Sequence, residues 1–224
     1  MATQPVSEPA PAFADLHAAI ARYYTETVQT HGATPHGVDW RCVPTQELRF
    51  VQLLKLCDFS APFSLNDLGC GYGALLAYLA RRHGATPVDY LGVDLSAAMI
   101  SAARRHWGGK RNPGRHAEFA VGHASARSAD YSVASGIFNI KLDPSAARWR
   151  RFVAATLEQL HASSRHGFAV NFMAPLPRGV TGSAGLYRTP AGVWRRWCEQ
   201  HLGATVEVVK GYGMREYTLL VRRN

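Results

Sequence analysis

From Phe63 onward, short apolar runs of strand length alternate along the chain with stretches of helical period. "FSLNDL" (63–68), "DYLGV" (89–93), "AEFAV" (117–121), "YSVAS" (131–135), "GFAVNFM" (167–173), "TVEVV" (205–209) and "EYTLLV" (216–221) are rich in β-branched or aromatic residues and predict seven strands. Helical patterns fall between the first five strands at 73–83, 96–107 and 145–162, and a thinner link at 122–129 has room for one short helical turn. This alternation predicts an α/β fold, a mostly parallel, doubly wound sheet with helices on both faces. The last two strands depart from it. Only "GYGMR" separates them, too short for a parallel crossover, so they are expected to pair antiparallel.

Ahead of the sheet, "FADLHAAIARYYTETV" (13–28) and "TQELRFVQLLKLC" (45–57) read as helices, with Thr45 expected as the N-cap of the second and Glu47 in its first turn. The polar loop between them, "QTHGATPHGVDWRCVP", carries Trp40. A tryptophan there either anchors the N-terminal helices on the domain or forms part of a lid over a site. The opening "MATQPVSEPAPA" lacks a basic n-region and an apolar h-region and reads as a loose tail, not a signal peptide. The expected organisation is therefore a tail (1–12), an N-terminal helical cap (13–60) and one α/β domain (61–224).

Composition changes this picture only through charge. A formal net charge of +9 fits an acidic or phosphorylated substrate, RNA, or solubility alone. The basic residues fall in small groups, such as Arg104 with Arg105 and Arg148 with Arg150 and Arg151, and form no stripe interleaved with aromatics. That distribution favours a solvated face and disfavours nucleic acid as a partner. No run approaches the ~18 apolar residues of a membrane span, so a soluble, cytoplasmic chain without a membrane partner is expected, as a monomer or homodimer. Cys42, Cys57, Cys70 and Cys198 show neither a CxxC pair nor zinc-like spacing with histidine, so no metal site and no disulfide framework is expected.

The chemistry-bearing stretch is "LNDLGCGYGALL" (65–76), where Gly69, Gly71 and Gly73 follow the first strand and open a helix. Without Cβ atoms such a turn reverses sharply and brings backbone N–H groups close to a ligand at the helix N-terminus. Gly69, Gly71 and Ala74 also satisfy the dinucleotide pattern G-x-G-x-x-G/A, and Asp94 ends the second strand where a ribose-binding acid is expected with either kind of cofactor. Three features separate the readings. Asp67, just inside the turn, would repel a pyrophosphate but attract an ammonium; the glycines come after two helices; and the closing antiparallel hairpin is foreign to the ordinary dinucleotide fold. All three favour S-adenosylmethionine over NAD.

On these residues the chain resembles the class I, Rossmann-like S-adenosylmethionine-dependent methyltransferases. "LNDLGCGYG" is similar to the family's first motif, "YLGVDLSAAMI" to its second, "FAVGHAS" to its third and "ADYSVASGIFN" to its fourth, from about Phe63 to the C-terminus. The resemblance implies a seven-stranded sheet of order 3-2-1-4-5-7-6 with the last strand antiparallel, an S-adenosylmethionine-binding domain at 61–224, and N-terminal helices that act as a lid. It implies that Gly69, Cys70 and Gly71 line the methionyl part through their backbone, with Asp67 near the amino group. Asp94 would then take both ribose hydroxyls, and Leu95 and Met99 would flank the adenine; for Met99 the rival reading is ordinary helix core. In the third motif Gly122 is followed by His123 and Ala124 where many members carry an acid, so His123 would meet adenine's edge through its ring or its backbone.

After the fourth strand, the same resemblance places Ser135, Gly136, Phe138 and Asn139 between cofactor and substrate. Methyl transfer from a sulfonium is an in-line displacement, and a general base is needed only where the acceptor must lose a proton. Candidates for that role are His31 and His36 in the N-terminal loop, Tyr23 or Tyr24 on the preceding helix, and Asn139 as a polar catalytic group. Gln46 and Arg49 share a helix face, and Arg49 either pairs with the cofactor's carboxylate or sits solvated beside Glu47. Tyr187 and Arg178, in the turn-rich stretch "APLPRGVTGSAGLYRTPAGVW", are placed to touch the substrate. The leading expectation is a methyltransferase for a small-molecule acceptor. RNA methylation, NAD-dependent oxidoreduction and non-catalytic adenosyl binding remain alternatives.

Overall fold

The computed structural model describes residues 13–107 and 116–224. The expected tail, 1–12, lies outside the described residues.

Seven strands form one sheet in the order β3-β2-β1-β4-β5-β7-β6. They are β1 (Phe63–Leu68), β2 (Val88–Asp94), β3 (Ala117–Val121), β4 (Ala129–Ala134), β5 (Ser164–Met173), β6 (Thr205–Lys210) and β7 (Glu216–Arg222). The first five run parallel, and β7 is antiparallel to both β5 and β6, as the short "GYGMR" link requires. β7 therefore sits inside the sheet, buried along nearly its whole length, and the half-exposed β6 forms the edge.

Helices cover both faces. Phe50 and Leu53 of α2 (Val43–Leu54), Leu75 and Leu79 of α3 (Ala74–Arg82) and Ile100 of α4 (Ala97–Trp107) belong to one apolar cluster. The other face holds Leu16 and Ile20 of α1 (Ala14–His31), Trp149, Phe152 and Leu157 of α5 (Ala146–Ala162) and Trp194 of α6 (Ala191–Leu202). Among the described residues no helix is long and apolar enough to cross a membrane.

Three local expectations are corrected. α2 starts at Val43 with Cys42 as N-cap, because Pro44 fits a first turn whose N–H groups lack helical partners anyway; Thr45 lies inside the helix and its hydroxyl donates back to the Cys42 carbonyl. The link at 122–129 holds no helix. Arg127 pins it instead, donating to the Asp89 side chain and carbonyl at 2.8 Å each and to Asn66 Oδ1 at 3.2 Å, between the middle of β1 and the start of β2. Finally, α6 arises where the glycine and proline of "TPAGVW" read as irregular. Pro190 is its N-cap, Gly192 falls in the first turn where little helical bonding is lost, and Trp194 and Cys198, four apart, bury one face.

Arg127→Ala should lower unfolding free energy by roughly 2–3 kcal/mol, the scale of hydrogen bonds to a charged group, measured by urea denaturation. A loss under about 0.5 kcal/mol, the range of ordinary surface substitutions, would show that the link needs no pin.

Candidate active site

The site lies at the carboxyl ends of the parallel strands. Asp67, next to last on β1, is buried, and the period of two sets it on the same sheet face as Tyr90 of β2. The Tyr90 hydroxyl donates to Asp67 Oδ2 at 2.5 Å. Burial pushes the Asp67 carboxyl up to about 7 against this hydrogen bond, with the charge of Asp94 adding to the rise.

The glycine turn does something other than the expected backbone donation. Gly69 and Cys70 both donate their N–H to the Val93 carbonyl, at 2.7 and 3.1 Å, and Gly73 donates to the Cys70 carbonyl at 3.0 Å. Gly71 donates to Asp94 Oδ2 at 2.9 Å. These N–H groups hold the turn together and none is left for a ligand. What the glycines supply is space. A Cβ on Gly69, at φ +75°, would lie 2.2 Å from Ile137, and one on Gly71, at φ +55°, would lie 3.0 Å from Val38. Both positions also need the left-handed backbone that glycine adopts at no steric cost.

Asp94 is the organising group. Its Oδ1 accepts from Ser96 N–H at 2.8 Å while Oδ2 accepts from Gly71, so both oxygens are oriented and each keeps a further lone pair. Burial pushes this carboxyl up, and the two N–H groups oppose the rise. Ser96 in turn caps α4, its hydroxyl accepting from Met99 N–H at 3.2 Å, and shares a 2.8 Å hydrogen bond with Thr25 of α1. The loop after β2 is thereby tied to the N-terminal helix.

A roof closes the cavity. Tyr24, Ile20 and His17 of α1 line it, spaced as one helix face, together with Val38 and Trp40 from the loop before α2. The edge of the Trp40 ring meets the wall after β4, where a Cβ on Gly136 would fall 2.3 Å from the indole. Trp40 thus lines the cavity while also packing against Gly136 and Arg49.

Most of the expected cofactor residues share this wall. Asp67, Gly69, Cys70 and Gly71 line it from the first loop, Asp94, Leu95 and Met99 from the second, and His123, Ser135 and Gly136 from the third and fourth. Gln46 also lines it and accepts a hydrogen bond from Tyr72 at 3.2 Å. His123 stacks on His17 with centroids 4.7 Å apart. Burial lowers the His17 pKa, and proximity to His123 adds to the effect.

Other expectations are not met in this geometry. Ala124 does not line the cavity. Arg49 is buried with its guanidinium forked onto Glu216, so it presents nothing to a cofactor carboxylate, and Glu47, its expected neighbour, pairs with Arg81 instead. Phe138 belongs to the core, stacked on Phe172 at 5.2 Å. Tyr187 is buried too, its hydroxyl accepting from Trp194 at 3.1 Å. Asn139 sits behind the wall: its backbone joins Gly136 to Tyr187, and its buried amide has no hydrogen-bond partner among the described residues. His31, His36 and Arg178 are exposed, outside the cavity. Tyr23 also lies off the wall; burial, with help from Asp39, pushes its phenol to about 12. Tyr24 faces the cavity, but burial raises its phenol further still, so it stays protonated.

Sequence reasoning missed Val38, Ile137, Phe50, Phe152 and Thr156 on the wall, together with His17 and Ile20. The last two were within reach, because they stand seven and four residues before Tyr24 on one helical face.

A family model described as "Methyltransferase domain" matches residues 66–165. Rv1506c, a provisionally named methyltransferase of Mycobacterium tuberculosis, is 38% identical over 170 residues, covering 76% of this chain and 99% of that protein. The chain belongs to the class I S-adenosylmethionine-dependent methyltransferases. Among solved folds, this methyltransferase is similar to magnesium protoporphyrin IX methyltransferase from Synechocystis with bound S-adenosylmethionine, at TM-score 0.67 and 15% identity over 96% of this chain and 100% of that one. Human N-acetylserotonin methyltransferase in complex with S-adenosylmethionine matches at TM-score 0.63 and 17% identity, over 95% of this chain and 60% of that one. The methyl donor is S-adenosylmethionine.

The buried Asp67 gives a pH signature. A free carboxyl titrates near 4, so between about pH 4 and 7 the folded protein holds a proton that the unfolded chain has lost. Its contribution to stability is therefore complete below about pH 4 and disappears as pH rises through 7. In ligand-free protein, the melting temperature of Asp67→Asn minus that of wild type should grow between about pH 5 and 8. A flat difference would mean that Asp67 titrates as an ordinary carboxylate.

Proposed function

We propose that this methyltransferase acts on a small-molecule acceptor held under the Trp40 roof, beside the wall formed by Ser135 and Gly136. The observation that carries the reading is the roof itself. α1, Val38 and Trp40 close over the strand ends, and no arginine or lysine is among the described residues that line the cavity. A polynucleotide needs an open, basic groove for its phosphates, and this cavity offers neither. The fold relatives named for magnesium protoporphyrin IX and N-acetylserotonin support an acceptor of that size class.

The residues suit the donor. Asp94, held by two N–H groups with lone pairs to spare, fits the paired hydroxyls of a ribose. Leu95 and Met99 offer apolar contact to a flat base, with His17 and His123 at its edge. Buried Asp67 suits an ammonium, which would draw its carboxyl back toward ionisation. When bound, S-adenosylmethionine supplies an activated methyl group on a sulfonium, so that the protein's part is chiefly alignment and exclusion of water. Tyr24, protonated and facing the cavity, orients an acceptor as a donor.

Asp94→Ala should weaken S-adenosylhomocysteine binding by roughly 100-fold in calorimetry, the loss of two hydrogen bonds to a charged acceptor. Unchanged affinity would remove Asp94 from the cofactor site. For the acceptor, the protein is incubated with methyl-labelled S-adenosylmethionine and a cell extract separated into small-molecule and RNA fractions. Label is expected in the small-molecule fraction, and label in RNA alone would overturn the reading.

A further inference from the structure

Behind the roof, five residues from five parts of the chain close a ring of contacts. The Arg49 guanidinium on α2 stacks on Trp40, 3.7 Å from the ring centroid. Its Nε and Nη2 fork onto the carboxylate of Glu216, the first residue of β7, with Nε to Oε2 at 2.8 Å, and Nη1 donates to the Thr45 carbonyl at 2.8 Å. Glu216 Oε2 also accepts from Asn171 Nδ2 at 3.1 Å, on β5. Asn171 Oδ1 then accepts the Gly136 N–H at 2.7 Å, and Gly136 is the residue that the edge of the Trp40 ring meets. Each of Arg49, Glu216 and Asn171 is at least nine-tenths buried.

Such a ring is a poor device for stability alone, since a buried ion pair loses in desolvation about what it gains by attraction, and apolar residues of similar volume often serve as well. What it does supply is direction. A two-point fork between guanidinium and carboxylate fixes the plane of the guanidinium, and a fixed plane is what a flat indole needs to stack against. At the other end, Asn171 holds the Gly136 N–H away from the cavity and keeps the wall where Trp40 meets it.

We propose that this ring is the catch that keeps the roof closed over bound S-adenosylmethionine, with Glu216 as a positioning residue. Glu216 does not line the cavity; it acts through Arg49 on Trp40 and through Asn171 on the Gly136 wall. The catch governs how long the cofactor stays, and it does so whatever the acceptor is.

The test measures release of radiolabelled S-adenosylmethionine from the full chain, chased with excess unlabelled S-adenosylhomocysteine, alongside each variant's melting temperature. Glu216→Gln and Trp40→Ala should each speed release by about tenfold, and the double variant should release no faster than Trp40→Ala alone. Arg49→Lys, which keeps the charge but loses the planar fork, should release as fast as Glu216→Gln. Should Glu216→Gln fail to fold, the Arg49→Lys and Trp40→Ala pair supplies the same cycle. Effects that multiply in the double variant, or a Glu216→Gln protein that melts earlier yet releases label at the wild-type rate, would reduce the ring to ordinary packing and overturn the proposal. Label found on a large acceptor would overturn the small-molecule reading and leave the catch standing.

Discussion

The Asp94 carboxylate is the point on which the site depends. One oxygen accepts the N–H of Gly71 and the other that of Ser96, so the loops after β1 and β2 are locked to each other through a single side chain. Ser96, held there, caps α4 and grips Thr25 of α1, and the N-terminal helix is thereby set across the strand ends. Carboxylate orientation, turn geometry and roof position are thus facets of one arrangement. An ionised group is suited to it, since each N–H that orients the carboxylate also favours its charged form, against the cost of burial.

The glycines read differently in three dimensions than along the chain. Spacing alone presents the turn as a cradle of N–H donors, the usual reading of such loops. In the fold those N–H groups bond Val93, Asp94 and Cys70, and the missing Cβ atoms make room for Ile137 and Val38. Gly136 follows the same logic with Trp40. Gly71 and Gly136 therefore record the close approach of Val38 and Trp40 in the roof, and Gly69 that of Ile137 in the loop after β4.

Much of the fold was legible because its signals are local. Short apolar runs rich in β-branched or aromatic residues marked every strand, and the five-residue link before β7 compelled antiparallel pairing. The first two loops were legible too, since Asp67, Gly69, Gly71 and Asp94 sit at fixed offsets from strand ends. What the chain hides is pairing at long range. Arg49 and Glu216 stand 167 residues apart, and no local pattern announces that the arginine faces a carboxylate of β7 instead of a ligand. Phe138 and Tyr187 were misplaced for a related reason: an aromatic beside a predicted site looks the same in sequence whether it turns toward the cavity or, as here, into the core with Phe172 and Trp194.

We place α1 and the Trp40 loop as a roof over S-adenosylmethionine bound at the strand ends. Hydrogen exchange with and without S-adenosylhomocysteine tests it most directly, because it reads the roof and the floor separately in one experiment. Slowed exchange is expected in the loops after β1 and β2 together with α1 and residues 32–46. Protection confined to the two loops, with α1 and residues 32–46 exchanging as fast as in the free protein, would contradict it.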